Sequence, residues 1–183
     1  MPALFIGHGS PMNALEDNAF TRGWQDTARR FPKPRAIVCV SAHWETRGVG
    51  VTAMPAPETI HDFYGFPQPL FDVRYPAPGA PALAAQIAQI VKSSKVHPVM
   101  EWGLDHGAWS VLRIMYPQAD IPVLQLSLDS AQPGAFHYAL GRELASLRDD
   151  GVLILGSGNI VHNLRLFDFH ATRPADWAAR ADA

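Results

Sequence analysis

The segment Ala36-Ile37-Val38-Cys39-Val40-Ser41-Ala42-His43-Trp44-Glu45 sets the architecture. Its first five residues form an unbroken apolar run, mostly β-branched, after the turn-like Pro32-Lys33-Pro34. Such a run predicts a strand buried on both faces, as in the middle of a parallel sheet. The run stops at a histidine, and the carboxyl end of a central strand is where open α/β sheets place their ligands. Two other segments repeat the plan. Ala3-Leu4-Phe5-Ile6 runs into Gly7-His8-Gly9-Ser10-Pro11, and Val152-Leu153-Ile154-Leu155 runs into Gly156-Ser157-Gly158-Asn159-Ile160-Val161-His162. Three strands that each deliver a histidine to one edge point to a metal site, with His8 and His43 expected at the ends of adjacent strands.

Composition narrows the class. The 183 residues suffice for one domain with a substantial core, and 48% hydrophobic with 17% charged residues is an ordinary globular balance. A net charge of −2, with both signs interspersed, gives no electrostatic footprint for nucleic acid or an anionic membrane. The one cysteine, Cys39, lies in the predicted buried strand, which excludes a disulfide framework within the chain and fits a reducing cytoplasm. No apolar run approaches a membrane span, and the first residues lack the basic-then-apolar pattern of a secretory signal.

Along the chain, Asp17 or Asn18 is placed to cap a helix on which Phe20, Trp24, Ala28 and Phe31 recur. Val49 to Ala53 reads as a short strand. Met54 to Pro81 is long, proline-rich and aromatic, the composition of a lid or binding loop. Helices are expected over Pro81–Ser94, up to Met115, from Phe136 to Leu147 and from about Pro174, with strands at Val96–Val99 and Ile121–Leu126. The alternation predicts a three-layer α/β/α sandwich with a mostly parallel central sheet.

Among the eight histidines, His8, His43 and His162 are the metal candidates. Neutral imidazoles suit zinc and ferrous iron better than magnesium or calcium. Glu45, two residues after His43, shares its face in an extended chain and either completes a two-histidine, one-carboxylate set or pairs elsewhere. His106, just before a helix, is a candidate acid or base, with helix capping as the plainer alternative. His61 lies on the aromatic loop, where a substrate contact is open to it. His97, His137 and His170 are expected on the surface. Gly156-Ser157-Gly158-Asn159 lacks the lysine and the spacing of a phosphate cradle.

Five motifs in order, GHGSP at 7–11, SAHWE at 41–45, HDFYGFP at 61–67, DHGAW at 105–109 and GSGNIVHNL at 156–164, resemble the class III extradiol ring-cleavage dioxygenases, in the 4,5-DOPA dioxygenase-like branch. The resemblance spans essentially the whole chain. It implies a metal pocket built by His8, His43 and His162, one divalent ion per chain, ferrous iron or zinc. His162 then serves as ligand or as the acid/base beside the metal, with His106 in a similar catalytic role. The family also has a further metal-site histidine near its C-terminus, in a segment like histidine-aromatic-x-proline-leucine. No such segment follows in this sequence, so residues 1–183 are expected to be a single catalytic-type domain, C-terminally truncated and lacking the last elements of the sheet.

The implied substrates are a small aromatic diol, DOPA-like, and dioxygen, with no nucleic-acid or membrane partner. The ring would open beside the diol to a yellow semialdehyde. His61, Tyr64 and Phe66 are the candidate substrate contacts, and Phe63 and Trp109 would extend a flat apolar wall. The alternatives are a zinc-dependent hydrolase, a non-catalytic metal-binding protein, and a tetrapyrrole chelatase, which has no use for SAHWE or GSGNIVHNL.

Overall fold

A computed structural model of the chain describes residues 1–159, 173 and 175–181. Among the described residues, the central sheet has four parallel strands, β1 (Ala3–Gly7), β2 (Ala36–Ser41), β6 (Val123–Gln125) and β8 (Val152–Gly158), in the order β1-β8-β2-β6. Between them in the chain run α1 (Ala19–Arg29), the short strands β3 (Glu45–Thr46) and β4 (Val49–Thr52), the one-turn α2 (Gln68–Phe71), α3 (Pro81–Ile90), β5 (Val96–Val99) and α4 (His106–Met115). The two-residue β7 (Leu128–Asp129) and α5 (Gly134–Glu143) precede β8, and α6 (Asp176–Ala181) closes the described chain. Pairs β3–β7 and β4–β5 form two small parallel sheets beside the main one. The expected strand at 121–126 is shorter, because Pro122 has no N–H to give. The expected helix to Leu147 tightens to a 3₁₀ turn at Leu144–Arg148.

β2 is the strand the apolar run predicts. Its period-2 alternation feeds two cores: Ile37 and Cys39 pack with Trp24, Ala28, Trp109, Leu112, Leu153 and Leu155, whereas Val38 packs with Leu83, Ile87, Leu124, Leu140 and Leu147. The sheet is thus sandwiched between α1 with α4 on one face and α3 with α5 on the other. Each fully buried aliphatic side chain of this kind contributes about 1.5–3 kcal/mol. Burial also pushes the Cys39 thiol well above its ordinary range, so it stays protonated as a core residue.

Two features depart from expectation. β1 and β2 are not neighbours, since β8 pairs with both, and β1 is buried on only part of its length. The segment 54–80 is tied down rather than loose. Leu104 donates to Glu58 O and Ile60 to Leu104 O, both at 2.7 Å, and Tyr75 donates through its N–H to Thr59 Oγ1 at 2.9 Å. Leu70, Val73, Tyr75 and Ala77 are buried in the core, and the Tyr75 hydroxyl, pushed up by burial and still protonated, donates to Tyr116 O at 3.0 Å.

Candidate metal centre

Because β1, β8 and β2 are parallel, their carboxyl ends share one edge of the sheet, and the histidines gather there. His8 follows β1 and is buried; His43 lies two residues past β2 and is half-buried. Their Nε2 atoms are 3.0 Å apart. His106, the first residue of α4, brings its buried ring against both, with ring centroids 3.9 Å from His43 and 5.6 Å from His8. Ligand atoms of the three lie within 4.8 Å of one another. Zinc binds imidazole nitrogen at about 2.0–2.1 Å, which spaces donors on one ion by about 3–3.5 Å. The His8–His43 spacing already matches, and convergent imidazoles are the donor type of zinc and ferrous sites.

The sequence motifs explain how these rings are held. Asp105, not His106, caps α4: its Oδ1 accepts from Ala108 N–H at 3.1 Å. The same buried carboxylate accepts from Ser41 Oγ at 2.7 Å and from Gln125 Nε2 at 2.8 Å, and Ser41 Oγ accepts from His43 N–H at 3.2 Å. One network therefore ties the end of β2 to the start of α4. Gly107 is required at this junction, since a β-carbon there would run into Ser41 Oγ and come within 2.9 Å of His43 Cδ2.

Asp62 joins the cluster from the aromatic segment. Its Oδ1 accepts from His106 N–H at 2.9 Å and lies 2.9 Å from His106 Nδ1, and its Oδ2 is 3.8 Å from His43 Nδ1. The ring approach is short, although its direction is not that of a well-formed hydrogen bond. Burial pushes the Asp62 carboxyl up, but bonding and charge from His106 together outweigh it and hold the group below the usual carboxylate value. Asp62 is therefore an ionised carboxylate facing two imidazoles. No sequence pattern singles it out. The adjacent His61-Asp62 pair was the available signal, but its loop position hid the distance to His106.

The remaining candidates are distributed as follows. His61 donates from Nε2 to Val73 O at 3.1 Å and packs beside Phe63 and Trp109. Phe63 stands edge-on to His106 at 5.6 Å and touches Phe66 at 5.3 Å. Tyr64 is 92% exposed. Trp109 is fully buried, donating from Nε1 to Ile60 O at 2.7 Å. Glu45 is exposed on β3 and outside the histidine group. His97 is exposed, while His137 is half-buried and accepts from Asp129 N–H at 3.1 Å. His162 and His170 lie outside the described residues. Among the described residues, the clefts of about 420 and 310 Å³ near Arg113 and Tyr116 are lined by no histidine.

Residues 2–179 match the family described as the catalytic LigB subunit of aromatic ring-opening dioxygenase. The chain belongs to this family. It is 58% identical over 180 residues to a 4,5-DOPA dioxygenase extradiol of Escherichia coli K12, covering 97% of this chain and 66% of that protein. A Beta vulgaris protein of the same name is 44% identical over 187 residues, covering 98% and 69%. A crystal structure of an uncharacterized E. coli K12 protein superposes with a TM-score of 0.83 at 51% identity, covering 98% of this chain and 69% of that one. The chain thus spans about two thirds of the length of these family members. The mostly parallel sheet between helical layers is the architecture shared with that crystal structure.

Proposed function

We propose that this chain provides the site of an extradiol dioxygenase that opens the ring of a small, DOPA-like catechol with dioxygen. His8, His43 and His162 are assigned as metal ligands, for one ferrous or zinc ion per chain. His106 is assigned to the catechol proton. The observation that carries this reading is the convergence of His8, His43 and His106 beside the Asp62 carboxylate. When bound, ferrous iron supplies the redox chemistry by which catechol and dioxygen react. The protein's own part is acid–base and positional. The ionised Asp62 faces His106 Nδ1, which leaves Nε2 as the ring atom placed to accept a hydroxyl proton and return it later. A His162 that does not ligate the metal takes the acid/base role beside it instead. Phe63 with Phe66 and His61 forms the apolar wall for the ring, and Tyr64 stands at its rim. The family names of the relatives support the reaction class, and the buried Cys39 is compatible with a reducing cytoplasm.

The test is anaerobic loading with ferrous iron, followed by DOPA and air, reading the yellow product by visible absorbance and metal by elemental analysis. His106→Ala is expected to keep its metal and lose turnover. Loss of the metal would make His106 a ligand instead, and unchanged turnover would remove it from the chemistry.

A further inference from the structure

The glycine-rich carboxyl end of β8 with Asn159, which carries no phosphate signature, has a different task. Three of its residues hold the segment around His8. His8 N–H donates to Gly158 O at 3.2 Å, Gly9 N–H donates to Asn159 Oδ1 at 3.2 Å, and His8 Nδ1 lies 3.0 Å from Ser157 Oγ. Asn13 Nδ2 completes the grip by donating to His8 O at 3.0 Å. Ser157 is buried, and its Oγ also lies 2.5 Å from the carbonyl oxygen of Gly107 in the first turn of α4.

The proton count at this serine has one solution. A hydroxyl has a single proton and a carbonyl only accepts, so the Ser157 proton is committed to Gly107 O. Ser157 Oγ therefore faces His8 as an acceptor, and Nδ1 must carry the hydrogen between them. In the neutral ring Nε2 is then unprotonated, and Nε2 is the atom 3.0 Å from His43 Nε2. We propose that Ser157 is a positioning residue that locks His8 in the Nδ1–H tautomer and so presents Nε2 as a ligand atom. Removing the serine hydroxyl takes away the acceptor that holds the hydrogen on Nδ1, which shifts the ring toward the other tautomer and a protonated Nε2. The Gly107 carbonyl also makes Ser157 a bridge between His8 and the helix that carries His106. The proposal rests on the metal-site reading above.

Two measurements on the full chain test it separately from that reading. In metal-free protein labelled with ¹⁵N at histidine, long-range proton–nitrogen spectra should show His8 as the Nδ1–H tautomer, changing to Nε2–H in Ser157→Ala. In a competition titration with zinc, Ser157→Ala should bind about ten- to a hundredfold more weakly, with Ser157→Thr restoring both tautomer and affinity. An Nε2–H His8 in the wild type overturns the proposal, and this result does not require the alanine variant to fold. A lowered melting temperature with unchanged tautomer and affinity likewise overturns it, leaving Ser157 a packing residue. Failure of the wild type to bind zinc would sink the metal reading alone, because the tautomer is read without metal.

Discussion

At Asp62 a single ionised carboxylate faces two imidazoles, so its charge can be tested apart from its shape. Asp62→Asn keeps the size and the bond from His106 N–H but removes the charge opposite Nδ1. We expect it to lower kcat/KM by about 10–100-fold, with metal content largely kept, in steady-state assays of iron-loaded protein. Gly107 is constrained differently, by the room it leaves. In Gly107→Ala the new β-carbon meets Ser41 and His43, and relief requires moving α4 away from β2. The expected cost is about 1–3 kcal/mol in denaturant unfolding, with weakened metal binding. Unchanged stability and affinity would mean that the junction is softer than its contacts imply.

The aromatic segment and the α3–α5 contact show how elements are held in place. Bonds at Leu104, Ile60 and Tyr75 anchor both ends of segment 54–80, so its core side chains bear on stability while Tyr64 does not. Tyr64→Ala, at an exposed ring, should change unfolding free energy by no more than about 0.5 kcal/mol. A selective loss of catechol affinity in that variant would support its place at the substrate rim, and a large stability loss would put the ring in the core. At the other end of the sandwich, Glu143 of α5 accepts from the N–H of Lys92 and Ser93 just past α3. The bond from Lys92 N–H leads the effects that hold the Glu143 carboxyl below its ordinary 4.5. A depressed carboxyl stabilises the fold above its unfolded value and loses that contribution as pH falls through the folded value. The stability gap between wild type and Glu143→Ala should therefore be full at pH 7, unchanged down to about pH 5, and narrow below the ordinary 4.5. A gap that persisted to pH 2 would assign the effect to packing.

For the molecule as a whole, the metal is the natural link between stability and function. A ligand that binds only the folded state at 100 times its Kd adds about 2.7 kcal/mol. Zinc or anaerobic ferrous iron should raise the melting temperature in a concentration-dependent way, and a chelator should reverse it. His8→Ala or His43→Ala should abolish the shift while folding in the absence of metal. A shift that survives in both variants would place the ion at other residues.

Much of this was legible in sequence because its physical causes are local. The β-branched run 36–40 can satisfy its burial only inside a sheet, and the glycine-flanked His8 and the post-strand His43 then fall at one edge of parallel strands. The motifs likewise carried the family, which the comparisons bear out. What only the tertiary structure decided were the meetings between distant segments. β8 inserts between β1 and β2 because both pair with it in parallel register, an order that no single strand's pattern encodes. That insertion brings Ser157 to His8 across 149 residues, and the tied-down aromatic segment brings Asp62 to His106 across 44. Periodicity reports which face of an element is buried; it does not report which other element covers that face, and the polar partners of these histidines come from that covering.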